Sequence, residues 1–172
     1  MKKIIAVMAI AFMASMTPAL AENGRSYVGL AVGGAMNDFN GVDNQAVLGV
    51  SVGHDFGLLR VEGNFDHMRA DALTSNMVSG MTYLEMDVGK VTPFVGVGMG
   101  YVMQGDTAGS AAGLNDNDWA YILSAGASYR LTKNFEFVGQ YRYLHSETNV
   151  VSSTGQRDFN TDLVTIGARY GF

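Results

Sequence analysis

The sequence contains no cysteine and only two prolines among its 172 residues. Disulfides are therefore excluded, although small exported domains often depend on them. After residue 21 no apolar run approaches the ~20 residues of a membrane-spanning helix, which excludes a helical membrane protein. What the sequence has in quantity is glycine, with 22 residues, and a short alternating pattern that recurs along the chain.

The first 21 residues have the order of a secretory signal peptide. Lys2 and Lys3 precede an apolar stretch at 4–13, and residues 17–21 read TPALA. This order predicts cleavage after Ala21. The apolar stretch is too short to cross about 30 Å of hydrocarbon, and no cysteine follows that could carry a lipid anchor. Residues 22–172 are expected to form one domain.

The remaining chain is acidic. Two of the 11 Lys and Arg residues, Lys2 and Lys3, lie in the signal peptide, so nine basic residues face 16 acidic ones. This balance argues against a nucleic acid as partner.

Period-two alternation of apolar and other residues marks eight stretches of about ten residues, as expected of β-strands. Val28, Leu30 and Val32, for example, alternate with Gly29 and Ala31. The stretches lie near 27–33, 45–52, 59–66, 83–88, 94–101, 119–130, 135–143 and 163–172.

The connections between these stretches are alternately short and long. Short ones at 53–57, 89–92 and 132–134 carry turn residues. Long polar ones lie near 36–44, 67–77, 104–118 and 145–158. The layout predicts an all-β fold, an eight-stranded antiparallel up-and-down transmembrane barrel with short periplasmic turns and long external loops.

Charged residues concentrate on the strand face opposite the apolar one. Because side chains fill the interior of an eight-stranded barrel, these nearly balanced charges are expected to form an ion-pair network in the lumen. The predicted members are Arg60, Glu62, Asp66, Glu85, Asp87, Arg130, Glu136, Arg142 and Arg169. A water-soluble barrel of the lipocalin kind, with its faces reversed, remains the alternative.

Aromatic residues on the apolar face lie near the strand ends. Tyr101, Trp119 and Tyr121 fall towards the long loops, and Tyr129 and Phe135 towards the short turns. Two such groups predict the aromatic girdles of a membrane barrel at its two interfaces.

Several segments resemble the small outer-membrane β-barrel proteins of Gram-negative bacteria, the opacity-protein and OmpA/OmpX-type barrels of the porin family. They include YVGLAVGG at 27–34, TPFVGVGMGY at 92–101 and GARYGF at 167–172. The resemblance implies a location in the outer membrane and insertion by the barrel-assembly machinery. That machinery reads a terminal strand ending in an aromatic residue, and Tyr170 and Phe172 match this signal.

The expected function is a structural or adhesin-like role at the cell surface, because function on this fold lies in the variable loops. The expected partners are outer-membrane lipid, lipopolysaccharide and a host or cell-surface ligand, and the chain is expected to be a monomer. A narrow low-conductance channel is the alternative.

A lipid A-modifying enzyme is a further alternative, since such barrels carry an outward-facing His and Ser. Here His145 has the outward parity and Ser146 the opposite one, so no enzymatic activity is expected. No cofactor or metal is expected either. The acidic segment NDND at 115–118 lacks the glycine and distal glutamate of a calcium loop.

Overall fold

Eight strands make up the structure, a computed structural model that describes residues 24–37, 45–69, 74–105, 118–146 and 159–172. The strands are β1 Arg25–Asn37, β2 Gln45–Asp55, β3 Leu59–Arg69, β4 Thr74–Glu85, β5 Val91–Gly105, β6 Asp118–Arg130, β7 Phe135–Ser146 and β8 Phe159–Gly171. Each strand pairs antiparallel with the next, and β8 pairs with β1 to close the barrel. The predicted eight-stranded up-and-down barrel is confirmed.

Alternation sends successive side chains to opposite sides of the barrel wall. On β3, Arg60 and Glu62 are each 2% exposed inside the barrel, whereas Val61 between them is 45% exposed on the outside. On β1, Leu30 is 64% exposed. The large apolar side chains therefore cover the outer surface, and the charges lie within.

The predicted long connection at 67–77 is wrong. β3 continues to Arg69 and β4 begins at Thr74, so only residues 70–73 lie between them. β4 also ends at Glu85, before the predicted end at residue 88. The start of β4 was missed because Ser75 and Met77 face inwards while Asn76 and Val78 face outwards, which places polar and apolar residues on both faces.

The short turns join neighbouring strands tightly at one end of the barrel. Gly57, between β2 and β3, has a φ of 94°, a conformation that suits glycine. Its N–H donates to Oδ1 of Asp55 at 2.6 Å. Gly89, between β4 and β5, has a φ of 71°. The N-terminal end of β1 and the C-terminal end of β8 lie at this same end.

Among the described residues there is no helix with the length and apolar character needed to cross a membrane. The predicted signal peptide at 1–21 lies outside the described residues and stays a prediction.

Candidate functional site

The barrel lumen holds an ion pair that joins its opposite walls. Arg142 on β7 donates from Nη1 to Oδ2 of Asp66 at 2.7 Å and from Nη2 to Oδ1 at 2.8 Å. Asp66 lies on β3, four strands away around an eight-stranded barrel. Both residues are buried, and the two parallel hydrogen bonds form the strongest geometry available to such a pair.

Glu62 on β3 is a second centre of contacts inside the lumen. Its Oε2 lies 3.3 Å from Nη2 of Arg169 on β8 and accepts a hydrogen bond of 2.5 Å from the Tyr27 hydroxyl on β1. Its Oε1 accepts from the Tyr83 hydroxyl at 3.1 Å. Gln140 on β7 donates from Nε2 to that hydroxyl at 2.8 Å, so the network reaches across the lumen a second time.

Arg60 is held by both charge and aromatic rings. It forms an ion pair with Glu85 on the neighbouring strand. Its guanidinium carbon lies 4.1 Å from the ring centre of Tyr83 and 4.7 Å from that of Phe94. These distances are typical of cation–π interactions, and such interactions are stronger where water is displaced.

The remaining predicted charges form a separate group at the short-turn rim. Nη2 of Arg130 lies 3.4 Å from Oδ1 of Asp87, and its Nε lies 3.4 Å from Oε1 of Glu136. Nη1 of Arg25 lies 3.5 Å from the same Oε1. Asp87 is 66% exposed, outside the strands. The nine predicted residues thus divide into six in the lumen and three at the rim, where Arg25 joins them. Exposed pairs of the rim kind contribute little to stability.

An apolar layer closes the lumen near the long-loop end, and the sequence did not predict it. Each strand contributes one inward side chain to this layer, which is the loop-side part of a larger apolar cluster that also contains Met81, Tyr83, Phe94 and Val138. The members of the apolar layer are Ala35, Val47, Met68, Met77, Val102, Ile122, Leu144 and Leu163. Neighbours in this apolar layer pair directly across strands, as Ala35 does with Leu163 and Val47 with Met68. Five of the eight lie beyond the strand stretches predicted from the sequence, so no inward direction was predicted for them. These are Ala35, Met68, Met77, Val102 and Leu144.

Inward glycines make room for large side chains in this narrow lumen. A Cβ on Gly96 would overlap the Tyr83 ring, and one on Gly126 would meet the Phe94 ring at 2.6 Å. A Cβ on Gly98 would overlap the Met81 sulfur and the Gly80 carbonyl oxygen. The space that these glycines leave is therefore filled by aromatic rings and a methionine side chain.

The aromatic residues predicted as girdles lie on the outward face. Tyr101 and Trp119 pair at the long-loop end with ring centres 5.3 Å apart, and Tyr121 lies on the same strand as Trp119. Tyr129 and Phe135 lie at the short-turn end.

The predicted assembly signal lies in the closing seam of the barrel. Tyr170 and Phe172 face outwards on and just after β8, and the Phe172 N–H donates to the Ser26 carbonyl at 2.9 Å. The role of the two aromatic residues as a recognition signal stays a prediction.

His145 faces outwards, and its Nδ1 lies 2.8 Å from Oδ1 of Asn160, directly opposite on β8. The Ser146 side chain and residues 115–117 lie outside what the structure describes. Among the described side chains, no group of three His, Cys, Asp or Glu residues could hold a metal ion.

Two cavities lie within the network. One of about 30 Å³ is lined by residues that include Asn64, Asp66 and Arg142, and one of about 20 Å³ by residues that include Arg60 and Glu85. Each has the size of about one water molecule.

The chain is similar to several solved barrel proteins. Neisserial surface protein A matches with a TM-score of 0.65 and 15% identity, over 88% of this chain and 98% of that one. Outer membrane protein H of P. aeruginosa matches with a TM-score of 0.62 and 21% identity, over 86% and 99%. Ail, the attachment invasion locus protein of Yersinia pestis, matches with a TM-score of 0.53 and 16% identity, over 87% and 97%.

At these identities the likeness concerns the fold. No curated protein sequence matches the chain. The family model for the outer membrane protein beta-barrel domain matches residues 5–172. This match excludes the water-soluble alternative and agrees with an apolar exterior around a charged lumen. The chain belongs to the outer membrane protein beta-barrel family and is an integral barrel of the bacterial outer membrane.

Proposed function

We propose that this protein is a non-conducting barrel that displays its long loops at the cell surface for contact with a ligand. The observation that carries the proposal is the Arg142–Asp66 pair, which joins opposite walls of the lumen. An ion entering the lumen would have to separate two buried, doubly hydrogen-bonded charges. Breaking such a pair costs about 3–5 kcal/mol.

The apolar layer is a second barrier on the same path. All eight strands contribute to it, and two of its members, Met77 and Leu163, lie directly opposite Asp66 and Arg142 in the strand register. A hydrophobic constriction of this kind opposes conduction because water leaves it. A charged barrier and an apolar barrier together favour display over transport.

The composition of the loop segments suggests the chemistry of the ligand. The long connections predicted from the sequence contain eight acidic residues and only two basic ones, Arg69 and Arg157. The acidic residues are Asp38, Asp43, Asp71, Asp106, Asp116, Asp118, Glu147 and Asp158. The Yersinia protein Ail has been solved in complex with the heparin analogue sucrose octasulfate, a polyanion. Charge complementarity favours a basic ligand surface for the loops of this chain instead.

The test replaces residues 38–44, 106–117 and 147–158 with short Gly-Ser turns in cells that display equal amounts of barrel. We expect the wild type to bind basic host-matrix proteins or neighbouring cells, and the loop-replaced variant to lose that binding. Equal binding by the two would contradict the display role.

Conductance distinguishes the channel alternative. We expect the purified wild-type barrel to give no stable current steps in a planar bilayer. Stable steps with an intact fold would favour the narrow channel and overturn the non-conducting role.

We also propose that the barrel is not a lipid A-modifying enzyme. Serine hydrolase chemistry needs the hydroxyl within hydrogen-bond reach of its base, whereas Ser146 directly follows His145 in the sequence and has the opposite strand parity. Lipid A mass spectra from cells with wild-type protein and with His145→Ala are expected to agree. A modified lipid A that depends on His145 would contradict this.

A further inference from the structure

The outward face of the β3–β4 hairpin has a polar cluster at its loop end. His67 and Asn76 lie directly opposite each other, and Arg69 lies opposite Thr74 in the next row towards the loop. By strand parity all four side chains point away from the lumen. Polar side chains on the exterior of a membrane barrel belong at the lipid headgroup level, because the hydrocarbon region excludes them.

Hydrogen bonding leaves donors of this cluster available. Nδ1 of His67 lies 2.8 Å from Oδ1 of Asn76, and since an amide oxygen only accepts, the imidazole is the donor. This bond leaves the Asn76 amide N–H groups without a partner among the described residues. Arg69 is exposed, and it makes no ion pair or hydrogen bond with any residue in that part of the chain. Diagonal neighbours on one sheet face are within reach of a long side chain, so Arg69 and Asn76 can meet one ligand.

A notch lies lower on the same outward face. Gly63 and Gly80 are directly opposite each other and both face outwards. A Cβ on Gly80 would meet nothing within 4 Å, and one on Gly63 would reach only Val52, at 4.0 Å. Four residues of strand separate His67 from Gly63, or about 13 Å. That distance fits within the ~15 Å depth of one leaflet.

We propose that the outward face of β3–β4 binds one phosphorylated lipid of the outer leaflet. Its phosphate is held by Arg69 and the Asn76 amide, and an acyl chain lies along the notch formed by Gly63 and Gly80. Arginine matches the oxygens of a phosphate through its planar fork of donors. Lipid headgroups are recognised by basic sites of this kind beside the membrane surface.

The β7–β8 hairpin carries the same His–Asn pair without the other features. His145 and Asn160 have the same 2.8 Å contact as His67 and Asn76. The neighbouring outward residue is Asp162, which accepts a hydrogen bond of 2.5 Å from the Tyr141 hydroxyl. A carboxylate repels phosphate, so we expect no phosphate binding at the β7–β8 hairpin, which serves as an internal comparison for the β3–β4 site.

The experiment measures how much diphosphorylated lipid A stays bound to the detergent-purified barrel, by native mass spectrometry. The test variants are Arg69→Gln, which removes the charge, and Gly80→Phe, which fills the notch. The matched controls are Lys133→Gln, an exposed cation at the short-turn end, and Gly139→Phe, where an added Cβ also meets nothing within 4 Å. Unfolding of each variant in urea checks that the barrel is intact.

We expect Arg69→Gln to weaken retention about tenfold, the loss of about one charge-assisted hydrogen bond. Gly80→Phe should weaken it severalfold, and neither control should change it. The wild type and Arg69→Gln should retain dephosphorylated lipid A equally weakly. Equal retention by all variants, or equal losses in test and control variants, would overturn the proposal.

Competition separates a lipid from a free anion. Millimolar inorganic phosphate is expected to leave the bound lipid in place, because the acyl chain contributes to binding. Displacement of the lipid by inorganic phosphate would show a simple anion site and contradict the lipid assignment. Neither result depends on whether the loops bind a surface ligand, so this proposal and the display role can fail separately.

Discussion

Arg142 is 3% exposed, and at such a position the partner decides whether a charge is tolerated. An unpaired guanidinium in this lumen would cost several kcal/mol, because it leaves water without gaining an equivalent contact. Asp66 supplies both acceptor oxygens and is itself 2% exposed. Each residue of the pair is therefore more important for keeping the other satisfied than for any net gain in stability.

Asp66→Asn should lower the free energy of unfolding by about 3–5 kcal/mol, since it leaves the Arg142 charge buried and unpaired. The measurement is urea unfolding of the barrel in lipid vesicles. The double variant Asp66→Leu with Arg142→Met should recover most of the loss, because no charge is then left behind. An unchanged free energy of unfolding for Asp66→Asn would show that water already solvates the pair.

Gly98→Leu should destabilise the barrel by about 1–3 kcal/mol, a typical cost of overpacking. Its side chain would have to displace Met81 and the backbone at Gly80. Gly80→Leu is the control, because it points outwards into open space on the neighbouring strand. Comparison of the two urea midpoints checks the prediction, and equal midpoints would contradict it.

Within the strand stretches that it located, the sequence predicted which residues face inwards, because strand parity alone decides the side to which each side chain points. It did not predict which inward charge pairs with which. Asp66 and Arg142 are 76 residues apart, and their meeting depends on the stagger and diameter of the closed barrel. The apolar layer was missed because five of its eight members lie beyond the predicted strand stretches.

Among the strands, β3 has the most varied contacts inside the lumen. It contributes Arg60, Glu62 and Asp66, whose partners lie on β1, β4, β7 and β8. Its alternation is unbroken, and the sequence located it well apart from its last residues. The predicted stretch at 83–88 overlaps only the last three residues of β4, because the loop-side part of this strand mixes polar and apolar residues on both faces.

The closing seam between β8 and β1 gives a prediction about assembly. Phe172→Ser and Tyr170→Ser should each reduce the amount of barrel inserted in cells, because the resemblance to outer-membrane barrels assigns recognition to these aromatic residues. The control is Tyr129→Ser, another outward tyrosine at the same end of the barrel. The measurement is the folded fraction in outer-membrane preparations.

Refolding of the purified variants in vesicles separates recognition from stability. We expect Phe172→Ser and Tyr129→Ser to refold to the same extent. An equal insertion defect for Tyr129→Ser in cells would indicate a general need for interfacial aromatics rather than a specific signal.

For the whole molecule, the outer surface is a belt of apolar side chains with polar residues at its edges. Leu30→Arg, in the middle of β1, should lower the free energy of unfolding in a bilayer by about 2–4 kcal/mol. Leu59→Arg, at the short-turn end of β3, should cost about 0–1 kcal/mol because the side chain reaches the headgroups. Equal costs in vesicles would contradict the assigned depth of these positions.

The topology of the molecule was predictable because alternation, connection length and an even strand number all indicate one architecture. The ligand was not, because the loop residues that would contact it carry no pattern beyond their acidity. The proposed lipid site on β3–β4 could not be found from the sequence, because the misplaced connection at 67–77 removed His67, Arg69 and Asn76 from the strands.

The contacts that span the lumen affect how the barrel can assemble. The Arg142–Asp66 and Arg169–Glu62 pairs link the last two strands to the third, so an open sheet leaves these arginines and carboxylates without each other. Such a sheet needs water along its charged face until β8 meets β1. Closure then expels the water and completes both of these pairs in one step, which makes the finished barrel a single cooperative unit rather than a sheet that gains stability strand by strand.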